Sequence, residues 1–233
     1  MSVRLGRLMA RRWRFRRRTR PGDEAALQGS ALRDPSRTVF FSDGVFAISI
    51  TLLVLEIHPP EDTANLGRGL VELWPSFLAY VLSFFLIASI WANHHVMFDQ
   101  VVAADRGLLL LNTVLLMTVA FVPFAASVLA AAFRNGSGEP LAVLFFGGSF
   151  GLGAIFFNAL WWYALRASKL LNPRVSAHAG MLVGRRFLAG PVLTFLGAAV
   201  GTVAPAAGLV IYALMIPIFW LPLPALEPVP LDG

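Results

Sequence analysis

RTVFFSDGVFAISITLLVLEI, residues 37–57, is apolar enough to cross a membrane, yet it begins with Arg, Ser and Asp. About 20 consecutive apolar residues suffice for a helical crossing. Residues three and four apart share a helix face, so Ile48, Thr51, Leu52 and Leu55 form one stripe along the later half. Spacing alone reads that stripe as packing against a neighbouring helix or lipid, and a membrane Thr can bond its own preceding carbonyl. The polar start asks for more. Ionisable groups inside a membrane are costly and turn toward protein or water with a partner. Asp43 lies about two turns into the helix, and Arg37, six residues earlier, is poorly placed to pair with it. Its donors are then Ser42, exposed amides, or Trp91, His94 or His95 on another helix. The reading is a polar brace between helices, with an interfacial position for Asp43 as the alternative.

The rest of the chain continues this pattern. Of 233 residues, 57% are hydrophobic and only 14% charged, where a soluble domain of this size carries roughly a quarter charged. The class is an all-α integral membrane protein. With no cysteine, disulfide staples and thiolate chemistry are excluded. The net charge of +6 is concentrated: nine of the first twenty residues are Arg. A basic arm ahead of a first span faces cytoplasm and anionic lipid rather than nucleic acid, and no basic domain accompanies it. The apolar run begins only near Val39 and is too long for the core of a cleavable signal.

Three regions follow: an Arg-rich cytoplasmic arm (1–36), a membrane domain (37–222) and a Pro-rich tail (223–233). Asp34-Pro35-Ser36 signals a helix start, and Pro59-Pro60 stops the first helix. A polar, Gly-containing linker leads to a second span at about 73–101. A third covers about 108–133, with Pro123 inside it as a kink rather than an end. A fourth covers about 141–165. A basic loop with Arg166, Lys169, Arg174, Arg185 and Arg186 precedes an apolar stretch, about 187–221, too long for one crossing. Gly201 and Pro205 divide it into two short helices. With six helices and both ends cytoplasmic, the inner segments hold most of the Lys and Arg. Arg68 and Arg134 alone fall outside.

Arg37, three residues, then Phe41-Ser42-Asp43 resembles the R-x-x-x-F-S-D motif of the transmembrane protein 175 family, which includes lysosomal potassium channels and smaller bacterial relatives. IWANHHVMF in the second span and LLNTVLLMTVAFVPF in the third are similar to the same family, in the expected order. The resemblance covers about 35–220. It implies six helices per subunit, a homotetramer, and a pore lined by the first helix of each subunit without a selectivity-filter loop. A T-V-G-Y-G segment, whose carbonyls serve other potassium channels, is absent. By position, the resemblance makes Ile48 the narrowest hydrophobic constriction, with Leu52 and Leu55 continuing the apolar lining. Thr51 would offer oxygens to a partly dehydrated cation, giving modest preference for potassium over sodium. Arg37, Phe41, Ser42 and Asp43, with Trp91, His94 and His95, would hold the packing. A single set of six helices, where the animal relatives carry two, requires four copies.

Other constellations are weaker. Adjacent helical residues point about 100° apart, so His94 and His95 do not share an ion. His95 with Asp99 supplies two ligands, short of a three- or four-ligand zinc site; no metal and no cofactor are expected. Trp161-Trp162-Tyr163 reads as an interfacial aromatic belt, and Asn112 and Asn158 as amides bonded across helices. FFGGSFGLG has no following Lys-Ser or Lys-Thr and is not a nucleotide loop. Nothing resembles a hydrolase elbow, so an enzyme is not expected. The expected function is a leak-type potassium channel in a bacterial-type cell membrane, with potassium ions, membrane lipid and further copies of the chain as partners. A proton-coupled transporter using Asp43 and the histidines, or a non-conducting scaffold, is the alternative.

Overall fold

Pro205 and Gly201 do divide the last apolar stretch, and the other spans fall within a few residues of their expected bounds. The computed structural model describes residues 32–60, 64–167 and 169–221. Most of the Arg-rich arm and all of the tail at 223–233 lie outside them. Among the described residues there are seven α-helices and one 3-10 turn: α1 (Ser36–Leu52) continued by the 3-10 turn Leu53–Glu56, α2 (Leu66–Glu72), α3 (Trp74–Asp99), α4 (Arg106–Asn135), α5 (Glu139–Arg166), α6 (Ala177–Gly201) and α7 (Pro205–Trp220). Five of these elements are long and apolar enough to cross a membrane: α1 with its 3-10 turn, then α3 to α6. With 16 residues, α7 rises about 24 Å, short of the roughly 30 Å hydrocarbon core.

Local chemistry explains the ends. The Ser36 amide donates to Asp34 Oδ1 at 2.8 Å, and α1 stops before Pro59-Pro60. Asp105 caps α4, accepting from the Leu108 amide at 2.8 Å. It also accepts from the Tyr163 hydroxyl at 2.8 Å, so the α3–α4 turn is tied to the end of α5. The turn and the α5–α6 loop share backbone bonds, Val102 N to Leu170 O and Asn172 N to Gln100 O, each 2.8 Å. These two segments, both expected to be cytoplasmic, therefore lie at one end of the bundle. The α4–α5 turn uses Gly136 and Gly138 at φ 62° and 76°, the left-handed region that glycine enters without a Cβ penalty.

Three expectations change. The polar linker before the second span contains a helical segment, α2, with an Arg68–Glu72 ion pair at 2.7 Å across one turn. Arg185 and Arg186 sit inside α6 rather than in a loop, because Ser176 caps a helix that starts at Ala177, accepting from the Ala179 amide. Arg186 donates to the carbonyls of Ile218 and Leu221 at the end of α7. Asn93 Nδ2 adds a bond to Phe219 O at 3.0 Å. These side chains satisfy helix-end carbonyls that lipid cannot hydrate. Trp161 is not in an aromatic belt: it is fully buried and donates to Gly180 O at 3.0 Å. Three successive helical residues point three ways: Trp162 and Tyr163 stay half-buried, with Arg166 5.8 Å above the Trp162 ring.

The α6–α7 hairpin is set by a close backbone approach. A Cβ on Gly208 would lie 2.8 Å from both Gly197 O and Gly201 Cα, and backbone cannot yield as a side chain can. Gly208→Ala is expected to cost about 1–3 kcal/mol, read as a lowered midpoint in a thermal melt of purified protein. An unchanged midpoint would mean that the two helices do not meet at this residue.

Candidate functional site

One span is unusual. In its most apolar 18-residue window, α1 is only 22% buried, against 39–56% for the other four spans. It packs against α3 and α4 and leaves one face open. The buried side carries Ser42, Phe46, Ser49 and Leu53, spaced at three and four as one helix face requires.

Ser42 begins a directional chain of hydrogen bonds across three helices. Its hydroxyl donates to Thr38 O at 2.8 Å and accepts from Asn112 Nδ2 at 3.0 Å. Because the Asn112 nitrogen faces Ser42, its Oδ1 faces His94 Nε2, 2.9 Å away. That contact assigns the proton to His94 Nε2. The His94 ring is fully buried, stacked on Phe98 at 4.4 Å between centroids and tilted against Phe46 at 5.4 Å. A second brace lies nearer solvent: Trp91 Nε1 donates to Asp43 Oδ1 at 2.9 Å, with the His95 ring 6.0 Å from the indole. Of the donors open to Asp43 in the sequence, the structure selects Trp91. His94 serves the other brace, through an amide.

Asn112 is the residue that sequence reasoning undervalued. It bonds across helices as expected, and beyond that it joins α1 to α3 and is nearly fully buried. The available signal was stoichiometric: Ser42 and His94 each needed a partner, and α4 offers few polar groups at that depth.

The open face holds the stripe. Ile48 is 60% exposed and Leu55 68%, with Leu52 and Phe41 also exposed. Nothing lies within 4 Å of a Cβ built on Gly44. Phe41, Gly44, Ile48, Thr51 and Leu55 follow one another at intervals of three and four, the seam spacing of helices that pack around an axis. Thr51 Oγ1 donates back to Ile48 O at 2.9 Å, which leaves its lone pairs free on the open side. Arg37 and Phe41 also lie on the exposed side of α1; within the chain, bracing falls to Ser42 and Asp43.

Comparison with known proteins fits this arrangement. The family model described as endosomal/lysosomal potassium channel TMEM175 matches residues 37–123, which contain all of α1 but its first residue, α3, both braces and the stripe. A potassium channel of Streptomyces collinus is 40% identical over 161 residues, 68% of this chain and 78% of that one. A potassium channel of Chamaesiphon minutus is 40% identical over 164 residues, 69% of this chain and 80% of that one. The crystal structure of a lysosomal potassium-selective channel TMEM175 homologue from Chamaesiphon minutus superposes with a TM-score of 0.71 at 34% identity, covering 79% of this chain and 95% of that one. With Arg37, Phe41, Ser42 and Asp43 at the head of the matched segment and the fold shared along nearly the whole relative, this multi-pass membrane protein belongs to the TMEM175 family.

Proposed function

We propose that the chain is a potassium channel whose pore forms between subunits, lined by α1 of four copies. The observation that carries this reading is the two-sided character of α1: one face tied to α3 and α4 by polar bonds, the other apolar, exposed and seam-spaced. A membrane helix that is braced so firmly and covered so little is a lining element awaiting its symmetry mates. The names of the relatives supply the ion. In the assembly, Ile48 forms the narrowest ring, Leu52 and Leu55 extend it, and α7 completes a sixth crossing, its shortness offset by capped ends. The distribution of Lys and Arg supports cytoplasmic termini in a bacterial-type cell membrane, with the Arg-rich arm against anionic lipid.

A ring of apolar side chains closes a pore by excluding water and opens on slight widening. Selectivity then rests on what offsets dehydration, and Thr51 has the geometry for it: its hydrogen is spent on Ile48 O, so it meets a cation with lone pairs alone. Potassium, the less strongly hydrated ion, gains most from such partial coordination.

The test is potassium against sodium flux through the full-length protein in liposomes. Folded tetramers that pass neither ion would overturn the reading. In the same assay, Thr51→Ala is expected to lower the potassium-to-sodium permeability ratio about two- to tenfold, the equivalent of one hydrogen bond's net contribution. An unaltered ratio would move selectivity away from the hydroxyl.

A further inference from the structure

Two exposed stripes run along neighbouring helices. On α5, Leu152, Ile155, Ala159, Trp162 and Arg166 recur at intervals of three and four, and on α6 so do Met181, Arg185, Leu188, Val192 and Phe195. Apart from half-buried Ala159 and Trp162, every one of these side chains is exposed. The stripes border one seam. A Cβ built on Gly151 would lie 2.8 Å from Phe195 Cζ, and one built on Gly184 2.8 Å from Trp162 Cζ2. Each stripe therefore sends an aromatic ring against the other helix. The seam is apolar along its length and cationic at one end, where the α5–α6 loop joins the two helices.

Arg185 is the anomaly. It follows the start of α6 at Ala177 by two turns, about 12 Å, and stands between Met181 and Leu188 on a lipid-facing stripe, where an unpaired charge is costly. Helical side chains lean toward the N-terminus of their own helix, so Arg185 reaches back toward the loop end. Arg166 comes from the opposite direction. The last residue of α5, it folds back over the Trp162 ring, its guanidinium carbon 5.8 Å from the centroid. Trp162 in turn lies against Gly184, the neighbour of Arg185. Neither guanidinium has a carboxylate within ion-pair distance among the described residues. Asp105, which touches α5 through Tyr163, is engaged by that hydroxyl and by the Leu108 amide. Two cations thus share the head of an apolar seam without an internal counter-ion.

We propose that the seam binds an anionic phospholipid, its phosphate held by Arg166 and Arg185 and its acyl chains lying along Ile155, Leu188 and Val192. Charge selects the class. Two positive side chains without a carboxylate favour a net-negative headgroup over a zwitterionic one, whose own cation would find no partner. The apolar stripes select a lipid over a soluble anion, which gains nothing from them. Arginine suits the part, because its planar fork gives a phosphate two parallel hydrogen bonds while its face stacks on an aromatic ring. Basic pockets between membrane helices are where acidic headgroups settle. The site is separate from the Arg-rich arm and does not depend on the pore.

Phospholipids brominated along the acyl chain quench a tryptophan they touch, and Trp162 stands in the seam. The full-length protein is reconstituted in phosphatidylcholine vesicles titrated with brominated phosphatidylglycerol or brominated phosphatidylcholine. The Trp162 signal is the wild-type emission less that of Trp162→Phe. Half-maximal quenching of that signal is expected at about three- to tenfold less phosphatidylglycerol than phosphatidylcholine. Arg185→Gln and Arg166→Gln, each at an exposed position, are each expected to remove most of the difference, whereas Arg185→Lys keeps most of it. A preference that survives both glutamine variants would belong to the Arg-rich arm, and one that inorganic phosphate abolishes at matched ionic strength to a soluble anion. Either result, equal quenching by the two lipids, or quenching by neither because a second copy covers the seam, would overturn the assignment.

Discussion

Ile48→Asn is expected to raise cation leak through reconstituted liposomes about ten- to a hundredfold and to erase most of the preference for potassium. The closed state proposed for the pore depends on four Ile48 side chains that water does not wet. An amide at the same position hydrogen-bonds water and ions and holds the ring open to both. The magnitude comes from the apolar transfer free energy of one such side chain, about 1.5–3 kcal/mol. If the barrier falls by only that much, at tenfold per 1.4 kcal/mol, the leak rises by the stated range. The variant also separates gating from folding. Ile48 is 60% exposed in the single chain, and substitutions at such positions change stability by less than about 0.5 kcal/mol. Unchanged flux from a protein that keeps the wild-type fold and assembly would remove Ile48 from the gate.

The stripe that carries this prediction was legible because a helix has one period and a membrane one solvent. Long apolar runs, broken by Pro59-Pro60, by the Gly136–Gly138 turn and between Gly201 and Pro205, give the spans directly. Stretches of polar residues were less informative, since the same composition serves a loop or a helix end. Arg185 and Arg186 look like loop charges in sequence. Only the three-dimensional path of α7 reveals that its last carbonyls need Arg186. Trp161 was misread for a related reason: aromatic residues near a span's end fit an interface or a core equally well, and the choice depends on what packs alongside. The candidate site divides in the same way. Ser42, Asp43, Trp91 and His94 were identifiable as polar residues that must find partners in an apolar setting. Which of them pair was not, because the pairing depends on the rotation of α3 and α4 about their axes, and no periodicity records that.

Asn112→Ala is expected to lower the thermal midpoint by about 4–8 °C and to reduce recovery of the assembled protein, although no apolar contact of consequence is lost. The cost follows from what is left behind. Ser42 keeps its bond to Thr38 O and loses only a donor to its oxygen, worth a few tenths of a kcal/mol. His94 is worse off. Its Nε2–H, buried among Phe46, Phe98 and α4, has no other acceptor within hydrogen-bonding reach among the described residues, and a buried orphan donor costs about 1–3 kcal/mol. Interhelical bonds in membranes average less than this, about 0.6 kcal/mol, because the unfolded chain in lipid also finds partners. Here the larger figure applies, since the substitution removes one partner and leaves the other enclosed. The sum is about 2 kcal/mol, and each kcal/mol shifts the midpoint of a chain this size by about 2–4 °C. Ser42→Ala provides the internal check. If the relay works as one chain, the double variant costs less than the two single variants together, by about 0.5 kcal/mol or more. Strict additivity, or an Asn112→Ala protein that melts with the wild type, would mean that α1 is held by the Asp43–Trp91 brace and by packing alone.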